Sequence, residues 1–310
     1  MAIVRNLSRH FAAITVAAIL LATSQRLPGQ AIFVPNGSFE SPATSFVSIN
    51  IDNWQKTPKP DDYVETGGFL WTQLTGIFQN TPTNSSDHID NCDGKQALWL
   101  FAVPEVGLFQ DYDSVDWNDS APTHAFNTTY KVGKSYHLTV GVIGTSGGML
   151  QGASLQLSLY YRDAESNMVA VAATGITNSS DIFSNNTHLI DFDVNVPIVK
   201  PSDAWAGQNI GIQFLSTVDT NLQGGYWDLD NVRLIAGPAL INPVWTNGQF
   251  QATLRSSPGL NFEILASDNI GSPLSNWNSL GVVTNATGTI QFSDATPNQS
   301  QRFYRARLLQ

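Results

Sequence analysis

The sequence predicts an all-β protein, an antiparallel β-sandwich followed by a smaller β-sandwich-like unit. Three observations carry that expectation. Apolar runs rich in Val, Ile, Phe, Tyr and Trp recur between clusters of Gly, Asn, Pro and Ser, the pattern of short strands joined by turns. No stretch beyond the first 31 residues keeps a helical period for three turns. Charged residues are only 13% of the chain, whereas helical bundles lean on Glu, Lys and Arg. The 42% hydrophobic content is enough for a core and excludes a disordered chain.

Residues 1–31 read as a secretory leader. Arg5 and Arg9 give it a positive start, and Phe11 to Ala22 is an apolar run shorter than a membrane span. Gly29-Gln30-Ala31 offers a small-x-small cleavage site. No later segment is apolar enough to cross a membrane as a helix, and the expected location is secreted, extracellular or at the cell surface. Loss of Arg5, Arg9 and Arg26 leaves 12 basic residues against 25 acidic ones, a balance that disfavours nucleic acid as a partner. Cys92 is the only cysteine. No intramolecular disulfide can form, and with no second Cys or close His pair it reads as a lone, partly buried thiol.

The strands expected next are Gln96–Val103, Ser135–Ile143, Ser154–Arg162, Met168–Thr174, His188–Val196, Asn209–Ser216 and Tyr226–Ile235. In Ser154–Arg162, Leu155, Leu157 and Leu159 recur at spacing two and define one buried face. In His188–Val196 the inward set is Ile190, Phe192, Val194 and Val196. A boundary is expected at Gly237-Pro238, dividing the chain into 32–238 and 239–310. The second unit reads as strands at Gln249–Arg255, Phe262–Ala266, Ser279–Val283, Thr289–Phe292 and Arg302–Leu308. Charge divides at the same place: 8 basic and 22 acidic residues before it, 4 and 3 after it.

The first unit opens with Val34-Pro-Asn-Gly-Ser-Phe-Glu40 and closes with Tyr226-Trp-Asp-Leu-Asp-Asn-Val-Arg-Leu234. These ends resemble the galactose-binding-like jelly rolls of extracellular bacterial proteins, including carbohydrate-binding modules of families 4 and 9. The second unit, with Phe262-Glu-Ile-Leu-Ala-Ser267, Trp277 and Arg302-Phe-Tyr-Arg305, is similar to the small C-terminal β-domain of many secreted bacterial proteins. The resemblance implies a structural Ca²⁺ between the two terminal strands, held by Glu40 and Asp230 with backbone carbonyls completing the shell, since calcium takes six to eight oxygens. The acidic stretch Asp111 to Asp119 is no EF-hand, because Asp116 and Pro122 stand where the loop needs its Gly and its bidentate Glu.

An indole face stacks on the C–H face of a sugar while amides and carboxylates read its hydroxyls. Trp54 and Trp117, flanked by Asp, Asn and Gln, and Trp71, near Gln73, are therefore the expected ligand-binding residues, and a glycan is the expected partner. Trp99, within Ala97-Leu-Trp-Leu-Phe101, reads as core.

Catalytic signals are sparse. Gly144-Thr-Ser146-Gly-Gly148 matches G-x-S-x-G, but a nucleophile elbow needs a helix after the serine and a strand follows here. His88, His124, His137 and His188 form no H-E-x-x-H. The leading expectation is thus a secreted, non-catalytic, carbohydrate-binding protein with no catalytic residue and a structural calcium. One alternative is a structural or adhesive surface protein without a small ligand. The other is a calcium-dependent jelly-roll enzyme of the type of the Stig cyclases. That alternative needs a carboxyl with a raised pKa in an apolar pocket, and Asp228, beside Trp227, is the nearest candidate.

Overall fold

The computed structural model describes residues 30–66, 68–132, 134–246, 248–256, 259–295 and 301–309. The expected leader lies outside the described residues except for its last two, Gln30 and Ala31, which already belong to a strand. The strands of the first unit are β1 (Gln30–Ile32), β2 (Val47–Ser48), β3 (Gln55–Lys56), β4 (Thr75–Gln79), β5 (Gln96–Phe101), β6 (Gly107–Gln110), β7 (Tyr136–Ser146), β8 (Ser154–Arg162), β9 (Met168–Thr177), β10 (Ile190–Val196), β11 (Gly211–Ser216) and β12 (Tyr226–Ala236). Those of the second are β13 (Ala239–Thr246), β14 (Gln249–Arg255), β15 (Leu260–Ser267), β16 (Asn278–Asn285), β17 (Thr289–Asp294) and β18 (Phe303–Leu308).

All pairings are antiparallel, and the fold is the expected jelly-roll sandwich followed by a small β-sandwich-like unit. One sheet of the sandwich runs β10-β7-β12-β5-β4-β2, with β1 continuing beside β12. The other runs β3-β6-β11-β8-β9. The core lies between them, and alternation selects it: Leu138, Val140 and Val142 from β7 and Trp227 and Leu229 from β12 meet Leu155, Leu157 and Leu159 from β8 and Ile212 and Phe214 from β11. The small unit stacks β13-β14-β17 against β16-β15-β18 around Leu254, Phe262, Ile264 and Phe292. It touches the sandwich through Arg255, whose guanidinium pairs with Asp193 of β10 at 3.0 Å.

The opening segment differs from the terminal strand that the resemblance implies. Val34 to Glu40 is not a strand but a turn, with Asn36 and Phe39 at φ 49° and 54°. Asn36 holds the turn by giving its amide to the Ser41 and Asp52 carbonyls and accepting the Ser41 N–H. The opening strand is β1, which pairs Gln30–Ile32 with Ala236–Leu234.

What positions the site is the outer face of the larger sheet. Residues that alternate with the core set point there: Ala97, Trp99 and Phe101 from β5, and Tyr226, Asp228 and Asp230 from β12. Two loops roof this face, residues 80–92 and 178–189. Asn80 clamps Ile89 through both its backbone groups, Asn91 clamps Leu189 in the same way, and the Asp90 N–H donates to the Thr187 carbonyl. Ile89, Ala97, Ile143 and Leu189 pack beneath them as a separate apolar cluster.

The floor under Trp99 is Gly76 of β4, directly across the pairing. A Cβ there would lie 2.3 Å from the indole and 2.5 Å from the Ser48 carbonyl oxygen. Gly76→Ala is expected to destabilise the protein by about 2 kcal/mol, the usual scale of overpacking, and to push the Trp99 ring outward. Denaturant melts and a crystal structure of the variant would check both.

Candidate active site

A cavity of about 670 Å³ opens on the outer face of the large sheet, within the range of roughly 300–1,000 Å³ that takes drug-sized ligands. Its walls are mostly apolar and aromatic: Trp99, Phe101, Tyr226, Phe78 and Phe69, with Val47 and Ile49 at the side. The rings are fixed against one another. Phe101 lies 5.1 Å from Phe69 and 5.7 Å from Tyr226 between centroids, and the Trp99 Nε1–H donates to the Gln73 carbonyl at 3.1 Å. Among the described residues no Lys, Arg or His lines the cavity, and the two carboxyls that do are Asp87 and Asp228.

Asp228 is the chemically distinctive group. It is buried, and the Ser146 hydroxyl donates to its Oδ2 at 2.6 Å. Its Oδ1 is buried without a hydrogen-bond partner. Burial pushes its carboxyl up to about 7, against the lowering effect of the Ser146 bond, because an apolar surround penalises the charged form. A carboxyl held partly protonated near neutral pH, in a cavity of aromatic faces, is equipped to give a proton to a bound apolar molecule and to take one back. Asp87 differs: it is exposed and its carboxylate accepts from Ser86.

Two residues further along β12, Asp230 meets the loop at 92–96. Its Oδ2 accepts the Asp93 N–H at 2.6 Å while its Oδ1 is buried and unpartnered. Burial pushes it up to about 7. Glu40 reaches the same loop from the opening turn, and its Oε1 accepts the N–H groups of Lys95 and Gln96, each at 2.7 Å. The loop fits closely, since a Cβ on Gly94 would meet the Glu40 carboxylate at 2.5 Å. Cys92 donates to the Gln96 carbonyl, and burial holds its thiol protonated. Among the described residues no group of three or more His, Cys, Asp or Glu is arranged to hold a metal ion.

The three tryptophans singled out for sugar stacking do not share a surface. Trp54 is only 4% exposed, stacked 5.2 Å from Phe214, with its Nε1–H on the Asn36 carbonyl. Trp71 is 6% exposed, with its Nε1–H on the Thr57 carbonyl. Their polar neighbours in sequence had suggested exposure, but each indole satisfies its one donor inside and buries the rest. Trp117 is 51% exposed and stands apart from the cavity. Conversely Trp99, expected in the core, lines the cavity, because Ala97 to Phe101 is covered on both faces and alternation alone cannot tell which face holds the ligand.

A family described as HpiC1-like, HpiC1 cyclase, matches residues 30–235. No curated protein matches the chain. Among solved structures, a cyclase from Fischerella sp. TAU is similar at 23% identity over 67% of this chain and 98% of that chain, with a TM-score of 0.47. The Stig cyclase Fisc from Fischerella sp. TAU, in complex with (3Z)-3-(1-methyl-2-pyrrolidinylidene)-3H-indole, is similar at 22% identity over 67% and 98%, with a TM-score of 0.46. A CBM22-1 xylan-binding domain from Paenibacillus barcinonensis is similar at 12% identity over 59% and 85%, with a TM-score of 0.31. Carbohydrate-binding modules are thus among the structural neighbours, but the matching family is one of cyclases. That match overturns the expectations of a non-catalytic binder, of no enzymatic activity and of a glycan partner.

Proposed function

Because this chain belongs to the HpiC1-like cyclase family, we propose that it cyclises an apolar, unsaturated small molecule by general acid catalysis, with Asp228 as the catalytic acid. The observation that carries this reading is the buried Asp228 carboxyl at the wall of an aromatic-lined cavity, with one oxygen bonded by Ser146 and the other unpartnered. The substrate lies against Trp99, Phe101 and Tyr226. Asp228 protonates it at a carbonyl oxygen or an alkene carbon, the ring closes by forming a C–C bond to the electron-poor carbon, and the carboxylate takes a proton back. The aromatic faces stabilise the intermediate cation, and the roof loops keep water from quenching it. No redox cofactor is required, because substrate and product are isomers. Citronellal is a suitable probe, since its acid-driven closure to isopulegol follows this scheme. Gas chromatography of citronellal incubated with the protein should show isopulegol above the background of an Asp228→Asn variant, and equal rates would count against the reading.

The family resemblance also implies calcium, and two donors at the 92–96 loop suit a hard cation: a buried, unpartnered carboxylate oxygen on Asp230 and a second carboxylate on Glu40. In this reading Glu40 and Asp230 hold a structural Ca²⁺ that neutralises the buried charge and fixes the loop beneath the roof. Calorimetric titration of chelated protein should show Ca²⁺ binding, with the melting temperature rising by about 4 °C at ten times Kd. Glu40→Gln and Asp230→Asn should abolish both effects. A chelated wild type with no binding isotherm and no shift would sink the assignment.

The leader at 1–31, secretion, and the division into 32–238 and 239–310 belong to the same proposal. The division is supported by two core clusters that share no residue and by the charge difference between the units. Secretion is supported by the Arg5, Arg9 and Phe11 to Ala22 pattern.

A further inference from the structure

The motif Gly144-Thr-Ser146-Gly-Gly148 is left without a role by a mechanism in which Ser146 is not a nucleophile. Among the described residues no histidine lines the cavity to act as its base, and its hydroxyl is committed to Asp228. Its place in the sheet supplies a different role. Ile143 pairs with Asp228, and three residues later Ser146 pairs with Tyr226, only two residues back along β12. The strand β7 therefore carries one extra residue at Gly144-Thr145. Along a regular strand Ile143 and Thr145 would face the cavity and Ser146 the core, because side chains alternate with period two. The bulge reverses that parity and turns Ser146 to the face that holds Asp228.

The bulge is built at a cost. Thr145 has φ 71°, a conformation that β-branched residues rarely adopt and that persists only where surrounding structure enforces it. The flanking glycines are enforced by space. A Cβ on Gly144 would lie 2.7 Å from the Phe183 ring, and one on Gly147, at φ 60°, would lie 2.6 Å from the Tyr226 ring. Across the pairing, a Cβ on Gly225 would lie 2.6 Å from the Ser146 carbonyl oxygen. The backbone of Ser146 is thus held by its neighbours, and its hydroxyl reaches Asp228 at 2.6 Å.

We propose that Ser146 is a positioning residue for Asp228: by donating to Oδ2 it fixes the plane of the carboxyl in the wall of the cavity. This rests on the acid role of Asp228, and it explains why a strained bulge sits at the wall of the cavity. The serine acts through Asp228 and makes no bond to the substrate.

The test uses the full-length protein, its Ser146→Ala and Ser146→Thr variants, and Asp228→Asn as control, with citronellal as probe. Ser146→Ala should lower kcat by about 10-fold or more with KM within twofold of wild type and an unchanged melting temperature. Ser146→Thr, which keeps the hydroxyl, should recover most of the loss. In a crystal structure of Ser146→Ala the Asp228 carboxyl should be rotated from its wild-type plane. An alanine variant with wild-type kcat and carboxyl orientation overturns the proposal, as does a threonine variant that donates to Oδ2 yet is as slow as alanine. If wild type and Asp228→Asn turn over citronellal equally, the acid role fails, and the carboxyl plane in the alanine variant still decides the positioning role.

Discussion

Replacing Asp228 by asparagine is expected to lower turnover of a cyclisation probe by about 10²–10⁴-fold, the range typical for a positioned proton donor. The amide has nearly the size of the carboxyl and can still accept from Ser146, so the cavity should keep its shape and KM should change little. What is lost is, among the described residues, the one acidic group buried in the wall, since Asp87 is exposed. The same substitution should not destabilise the fold. The folded-state carboxyl is raised to about 7 by burial, so its contribution to stability is present below the unfolded value and is lost as pH rises through 7. Above pH 7 the wild type must keep a charge in an apolar wall, whereas the asparagine variant has none. Melts at pH 8 should therefore find the variant as stable as wild type or more so, while gas chromatography finds it inactive. A variant that is both inactive and unfolded would not separate the two roles, and Asp228→Glu, which restores a carboxyl with a longer arm, should then recover part of the turnover.

The parts legible in sequence were those governed by a local period. Leu155, Leu157 and Leu159 alternate cleanly and are fully buried, because one face of β8 meets the core and no other element competes for it. The closing segment Tyr226 to Leu234 also identified Asp228 as the carboxyl beside an apolar anchor, since Trp227 alternates with it and is fully buried. What sequence could not place was the cavity. Its floor alternates with the core set, but its roof comes from residues 80–92 and 178–189, which have no period and are clamped by Asn80 and Asn91 across long separations. Without that roof, Trp99 reads as core, and a jelly roll with polar tryptophan neighbourhoods reads as a sugar binder. Ser146 was hidden for a related reason: its orientation depends on the backbone of Thr145, and one inserted residue changes the side of every position after it.

The second large effect is expected at His137, and it acts on stability. His137 lies on the outer face of β7 near the contact with the small unit, buried, with its Nδ1 unpartnered. Burial, and next the positive charge of Arg255, lower its pKa to about 4, against the opposing effects of Asp193 and Asn195. Arg255 is itself held there by Asp193, whose carboxylate also accepts the Thr139 hydroxyl at 2.6 Å. A histidine that titrates near 6.5 in the unfolded chain but near 4 in the fold contributes stability that is complete above 6.5 and lost as pH falls through 6.5 toward 4. The loss should reach about 2 kcal/mol by pH 5 and about 3 kcal/mol below pH 4. Asp228 and Asp230, raised to about 7, act in the opposite sense, gaining stability over the same descent, so the total stability of the wild type does not isolate the histidine. The difference between wild type and His137→Gln does, because both carboxyls are common to the two proteins. Urea melts of the pair from pH 7 to pH 5 should show the difference shift by about 2 kcal/mol in favour of the glutamine variant. A difference that stays constant with pH would mean that His137 takes up its proton in the fold as readily as in the unfolded chain.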